Sequence, residues 1–224
     1  MKIGEEFRLF NHIDGEFKVK IVEINKHNLQ IIVVDKLRDV VRDNPLILAL
    51  CIIKADRFIE AIKAAVQLGV SEIIPIISER TQNKVINHAR LERCIIESVE
   101  QSERFIPPLL HNPMELDKFC NFKSIDQIIF ANEEESDRNT ILAMLELGDK
   151  NAANPLKPKL LKPKLLKPNP ALLVGPEGGF SSREKQMLAL NDKILSVTLG
   201  STVLKSEVAA IALIACIKLM MSKL

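Results

Sequence analysis

The chain has 224 residues, enough for one large domain or two small ones. Apolar residues make up 47% and charged residues 27%, which excludes a disordered tail or a collagen-like chain. With 31 basic and 29 acidic side chains the formal net charge is only +2, so any nucleic-acid partner must be met by a local patch and not by a whole-molecule field.

Aromatic residues are only 4%, with no Trp and no Tyr, so the core has to be aliphatic. Cys51, Cys94, Cys120 and Cys216 stand far apart and form no Cys-x-x-Cys pair. They read as reduced thiols of a cytoplasmic protein. His12, His27, His88 and His111 show no metal-ligand spacing either, and no metal is expected. The first residues lack the apolar stretch of a signal peptide. The longest apolar run, Val208 to Ile217, is about half of what a bilayer requires, so a buried helix is expected and no membrane partner.

Residues 5–34 alternate as three short antiparallel strands, through Phe7 and Leu9, then Phe17, Val19 and Ile21, then Leu29, Ile31 and Val33, with turns at 11–15 and 25–28. Residues 35–45, rich in charge and ending in Pro45, read as a linker. From Leu46 the rhythm changes. Leu46–Ile53 is a continuous apolar run, as expected of a strand covered on both faces. Asp56–Leu68 has helical spacing and stops at Gly69. Strand Val70–Ile77, helix Leu91–Glu103, strand Gln127–Phe130 and helix Arg138–Leu147 follow. After them come strand Ala171–Val174, helix Ser182–Leu190, strand Ile194–Leu199 and helix Ser206–Met220. This alternation predicts an α/β domain with a mainly parallel sheet. Residues 156–170 break the pattern with a proline every five residues and five lysines without an acid, and read as an extended, exposed connector.

Two stretches carry the chemistry. In Val174-Gly175-Pro176-Glu177-Gly178-Gly179 an apolar strand ends in a tight loop, and Ser181 and Glu184 then have the spacing of a capping box. Ligands of parallel sheets bind at such strand ends, and glycines let the backbone come close to them. The loop lacks a phosphate-binding pattern, and Glu177 would repel a phosphate; a carboxylate beside glycines suits a neutral or cationic ligand. In Leu199-Gly200-Ser201-Thr202-Val203-Leu204-Lys205-Ser206-Glu207 a second strand end leads into an Ala-rich helix. Here Ser206 is a candidate cap and Glu207 sits in a favourable first turn.

Together these stretches resemble the RsmE family, SPOUT-class methyltransferases that modify uracil N3 in small-subunit ribosomal RNA. Val174–Gly179 matches the family's Leu-Ile-Gly-Pro-Glu-Gly-Gly, while Leu199-Gly200, Val203-Leu204 and Glu207 match its Leu-Gly-x-Arg-Ile-Leu-Arg-x-Glu-Thr-Ala. Upstream, Lys54 with Asp56-Arg57 and Lys63, then Ser78-Glu79-Arg80 with Lys84, and Glu100-Gln101-Ser102 with Arg104 resemble further family segments. The resemblance spans nearly the whole chain.

It implies a trefoil-knot α/β methyltransferase domain over 43–224, with the Lys/Pro-rich loop at 154–170. A small PUA-like RNA-binding β-barrel over 1–42 would precede it, shortened because the family's opening strand and His…Val-Leu-Arg motif would stand before Met1. S-adenosylmethionine would be held by Val174, Gly175, Pro176, Glu177, Gly178 and Gly179 and by Leu199, Gly200, Ser201, Val203 and Leu204. Lys205 and Glu207 would be catalytic, Glu207 either as base or as a hydrogen-bonding group. Arg80, Lys84, Arg104 and Lys54 would touch small-subunit ribosomal RNA within the assembled subunit, and the last helix would form a homodimer. The chain departs from the family at Thr202 and Lys205, where arginines are usual; lysine keeps the charge but loses the planar fork. Two other readings stay open on the residues, a non-catalytic RNA-binding assembly protein on the same fold and a related methyltransferase of transfer RNA.

Overall fold

Turn chemistry sets the first sheet. The computed structural model of the chain describes residues 1–82, 84–135, 141 and 166–221. Strands β1 (Glu6–Asn11), β2 (Gly15–Ile24) and β3 (Leu29–Arg38) form an antiparallel meander with β2 in the middle. The Asn11 side-chain oxygen accepts from the backbone N–H groups of Ile13 and Asp14, at 2.8 and 2.6 Å, which closes the first turn. Gly15 has φ +102°, and a Cβ there would lie 2.3 Å from the Arg38 carbonyl oxygen, so only glycine fits. The expected linker starts later than the charge pattern suggests. β3 continues to Arg38 because its last residue pairs with Glu16, whose carboxylate is almost wholly buried and holds the Arg38 guanidinium.

The second sheet is parallel throughout. Its strands are β4 (Ile47–Cys51), β5 (Glu72–Ile77), β6 (Leu109–Leu110), β7 (Met114–Glu115), β8 (Gln127–Ala131), β9 (Pro170–Val174) and β10 (Ile194–Val197). They run in the order β10-β8-β9-β4-β5-β6, with β7 also on β5. The helices are α1 (Ala55–Gln67), α2 (His88–Gln101), α3 (Leu116–Cys120), α4 (Ser182–Ala189) and α5 (Ser206–Met221). The continuous apolar run of β4 is explained by its two covers. Leu48 and Leu50 pack with α1, α2 and α5, while Ile47, Ala49 and Cys51 pack with α3 and α4 on the other face. All five β4 residues are buried. Among the described residues no helix is long and apolar enough to cross a membrane.

Pro75 sits inside β5, opposite Leu50 of β4. Ile73 gives its carbonyl to His111 on one side, while Ile76 gives its own to Ile52 on the other. Alternation therefore turns the Pro75 nitrogen toward the β6/β7 side, where it falls in the gap between those two short strands. Together β6, β7 and the five-residue α3 are too short to leave a periodic signal, and the sequence reading did not find them.

Three expectations are corrected. Pro170, placed in the exposed connector, instead opens β9, a buried central strand, where a first residue has no donor to lose. Just before it, Leu166 packs on the core and Lys167 donates its N–H to the Gln127 side chain at 3.2 Å. Ser206 does not cap the last helix: the Ala209 N–H bonds to the Lys205 carbonyl at 2.8 Å, which puts Lys205 at the cap and Ser206 in the first turn. Finally, Arg104 is turned inward. The helix expected over 138–147 lies outside the described residues save Ile141, which is buried and donates its N–H to the Thr198 carbonyl at 3.2 Å.

The side chain of Arg104 is 11% exposed. Its guanidinium donates to the carbonyls of Val66 and Val70, at 2.5 and 3.1 Å, and to Asp43 at 2.9 Å. It joins the segment before β4 to the end of α1, where Gly69, at φ +82°, also receives the Lys218 ammonium on its carbonyl at 3.0 Å. Removal of the guanidinium takes this donor from the Val70 carbonyl, leaves the Val66 carbonyl with the Gly69 N–H alone, and leaves Asp43 with Lys218 at 3.7 Å. Arg104→Ala is expected to cost about 2–3 kcal/mol of stability, read as a lower urea midpoint at unchanged slope.

Candidate functional site

A cleft opens where β8, β9 and β10 end together. Its wall takes Ala131–Glu134 after β8, Val174–Glu177 with Gly179 and Phe180 after β9, Thr198–Gly200 with Thr202 and Leu204 after β10, and Ser206 and Ala209 from the first turn of α5. Lys185 of α4 completes it. The position obeys the rule that parallel sheets bind ligands beyond their carboxyl ends.

The first loop is built for close approach. Gly179 donates its N–H to the Pro176 carbonyl at 2.9 Å and takes φ +64°. A Cβ on Gly175 would come within 3.0 Å of the Phe180 ring, which packs edge-on to Phe130 at 5.5 Å. The capping box is complete: Ser181 Oγ accepts from the Glu184 N–H at 3.2 Å, and Glu184 accepts from the Ser181 N–H at 2.8 Å. The second Glu184 oxygen accepts from the Glu79 N–H at 2.8 Å, which ties the loop to the turn after β5. From that turn Arg80 donates to the Gly178 carbonyl at 2.7 Å, and Glu79 pairs with Arg183 at 2.5 Å. Hydrogen bonding from Ser181 and Arg183 holds the Glu79 carboxyl below the usual range.

In the second loop Gly200 takes φ +123°, and the Thr198 hydroxyl donates to its carbonyl at 3.0 Å. Lys205 is exposed, whereas Glu207 is buried and turned toward α1. One carboxylate oxygen of Glu207 lies 3.7 Å from Nε of Arg57, and the other is enclosed without a hydrogen-bond partner. The same guanidinium reaches Glu177 at 3.5 Å. Arg57 therefore stands between the two loops, bridging a carboxylate of each.

Of the expected ligand-binding residues, Val174, Gly175, Pro176, Glu177, Gly179, Leu199, Gly200 and Leu204 meet in one wall, while Gly178, Ser201 and Val203 are not part of it. Lys54 and Lys84 are exposed, but Arg104 is spent on the interior. The third contribution, Asn132–Glu134, was missed; an apolar strand followed by Asn-Glu-Glu at a parallel-sheet end was the available signal. Lys185, paired with Glu134 at 2.5 Å, and Arg57 as a bridge were missed as well, since each depends on a partner distant in sequence.

The wall joins an apolar floor of Val174, Leu199, Leu204 and Ala209 to a rim holding Glu133, Glu134 and Glu177. Such a cleft suits an uncharged ring with a cationic substituent, and it defines an α/β protein with a candidate ligand cleft at the ends of three parallel strands. Residues 42–218 match the family model of the RNA methyltransferase domain. The chain is 35% identical over 220 residues to the ribosomal RNA small subunit methyltransferase E of Rickettsia conorii, covering 98% of this chain and 83% of that protein. With the protein of the same name from Mesomycoplasma hyopneumoniae the identity is 30% over 219 residues, covering 95% and 82%. The fold matches, with a TM-score of 0.76 and 27% identity over 98% of this chain and 84% of the other, a Legionella pneumophila protein described as a methyltransferase and solved with bound SAM. The chain belongs to the RNA methyltransferase domain family and, within it, to the ribosomal RNA small subunit methyltransferase E group.

Because Glu184 serves two backbone donors, Glu184→Ala strands the N–H groups of Ser181 and Glu79 at once. A loss of about 1–2 kcal/mol is expected, measured by thermal unfolding with the far-ultraviolet circular dichroism unchanged.

Proposed function

We propose that the protein transfers a methyl group from S-adenosylmethionine to N3 of one uridine of small-subunit ribosomal RNA. The observation that carries this reading is the meeting of the Gly175–Gly179 turn and the Leu199–Leu204 loop in one apolar cleft with a carboxylate rim. The fit is chemical. Apolar walls take an adenine ring, and backbone at Gly175 and Gly200 comes close without an intervening Cβ. Carboxylates suit a sulfonium and an ammonium where they would repel a phosphate.

When bound, S-adenosylmethionine supplies an activated methyl group that transfers without a metal. Val174, Gly175, Pro176, Glu177, Gly179, Leu199, Gly200 and Leu204 would hold it. Positioning is then the main work of the protein. Arg57 keeps the two loops at a fixed separation through Glu177 and Glu207, and the enclosed carboxylate of Glu207 anchors Arg57 from behind. Lys205, exposed at the start of α5 beside the cleft residues Leu204 and Ser206, would stabilise the charge that develops on the uracil carbonyls as the N3 proton is lost.

Three finer features belong to the same proposal. A trefoil knot is supported by the strand order β10-β8-β9-β4, in which the chain returns from β9 to the far side of β8. A homodimer is supported by α5, where the apolar side chains of Val208 and Leu219 are 43% and 63% exposed. Lys54, Arg80 and Lys84 would meet RNA phosphates, with the N-terminal sheet acting as a PUA-like reader and the assembled small subunit as substrate.

The test is transfer of labelled methyl from S-adenosylmethionine to small subunits from a strain lacking the mark. Label on N3 of a single uridine is expected; no label from folded, cofactor-binding protein overturns the reading. Lys205→Ala is expected to lower kcat about a hundredfold at unchanged cofactor affinity. Arg57→Ala is expected to weaken cofactor binding about tenfold, seen by calorimetry.

A further inference from the structure

Helices α1 and α2 end in the same motif, with different residues at its critical position. After α1, Gly69 donates its N–H to the Val66 carbonyl at 3.0 Å and Val70 donates to Ala65 at 3.1 Å, with Gly69 at φ +82°. After α2, Glu103 donates to the Glu100 carbonyl at 3.3 Å and Arg104 donates to Val99 at 3.1 Å, with Glu103 at φ +52°. Glycine is the usual occupant of this position, because a Cβ disfavours the left-handed region. Among the described residues Glu103 alone takes a positive φ without being glycine. A local preference broken in this way directs attention to what the side chain does.

The Glu103 side chain closes a ring of charges across the joint between the N-terminal sheet and the larger domain. Its Oε1 takes Arg8 of β1 at 2.8 Å, and its Oε2 takes Arg38 of β3 at 3.5 Å. The same two guanidinium groups hold the buried carboxylate of Glu16 on β2, Arg8 at 3.4 Å and Arg38 by a hydrogen bond from Nε. Each strand of the N-terminal sheet thus supplies one member, and the larger domain supplies Glu103. A lone exposed ion pair would fix little, but a closed ring around a buried carboxylate constrains direction as well as distance. The next two residues serve the same joint. Arg104 holds Asp43, on the segment leaving the sheet, at 2.9 Å, and Phe105 packs edge-on with Phe10 at 6.0 Å. We propose that Glu103 is a positioning residue for methyl transfer, which sets the orientation of the N-terminal sheet to the cleft so that RNA held by the sheet presents its uridine there. The proposal rests on the methyl-transfer reading above, with the sheet as the reader of RNA. A loosened joint samples many orientations, of which few are competent to bind, and the apparent affinity for substrate falls by that fraction while the bound complex reacts as before.

The experiment uses the full chain and small subunits lacking the mark. Glu103→Gly suits the positive φ and removes only the carboxylate, so the variant is expected to unfold at or above the parent temperature. It is read by steady-state methyl transfer and by the distance distribution between spin labels at the exposed positions of His27 and Leu190, in labelled chain diluted with unlabelled. KM for subunits is expected to rise about tenfold, with kcat and cofactor affinity unchanged and the distribution broadened. Parent-like KM with a parent-like distribution overturns the proposal, whatever the stability. A broadened distribution at unchanged KM overturns it as well, since the ring is then only a seat. So does a raised KM at an unchanged distribution, which would place the carboxylate's effect outside the joint. Should Glu103→Gly fail to fold, the same two readings are taken on Glu103→Gln, which keeps the reach of the side chain and removes its charge. Failure of the parent enzyme to methylate any subunit would count against the methyl-transfer reading instead, while the distance distributions still report whether Glu103 holds the sheet.

Discussion

Parallel pairing of Pro170–Val174 between Gln127–Ala131 and Ile47–Cys51 is the constraint on which the rest of the structure depends. It buries the central strands on both faces, so their sequences can only be apolar. It also brings several strand ends to one edge, so that each chain reversal there becomes part of a shared wall. The glycines at 175, 179 and 200 are the local answer to that crowding: one avoids the Phe180 ring and two adopt positive φ. Chemistry follows from topology here, because no single loop could enclose a ligand by itself.

Charge is used at two scales. Around the cleft, Glu133, Glu134 and Glu177 stand in the wall, Glu134 paired with Lys185 of the same wall and Glu177 with Arg57. The basic side chains outside it are divided in a way that no local pattern shows. Arg80 reaches the Gly178 carbonyl, and Arg104 is consumed by Val66, Val70 and Asp43. With net charge near zero, the electrostatic identity of each surface depends on which cations are left to solvent.

Much of this was legible in the sequence because the signals are local. Strand and helix types followed from periodicity, the Ser181–Glu184 box from spacing, and the two loops from glycines at apolar strand ends. What escaped was long-range or too short. Arg104 looks basic and free until Asp43 arrives from 61 residues away. Arg57 acquires meaning only when Glu177 and Glu207 are brought to it by different strands. Pro170 was misread because proline is a poor fit to most strand interiors but not to a strand start, and the five-residue repeat drew it into the connector. The Leu109–Leu110 and Met114–Glu115 strands exist only because β5 offers them an edge.

The small N-terminal sheet meets the larger domain through long charged side chains. Glu16 and Glu103 share Arg8 and Arg38, and Arg38 lies over the Phe105 ring at 5.1 Å. The same ring stacks edge-on with Phe10 at 6.0 Å. A seat of this kind tolerates drift in the exposed residues of the sheet, while the buried Val19 and Ile21 and the packed Phe10 have to be kept. Six side chains inherited together would suffice to seat a different small sheet on the same larger domain, making the joint a natural place for one lineage to exchange one unit while leaving the other intact.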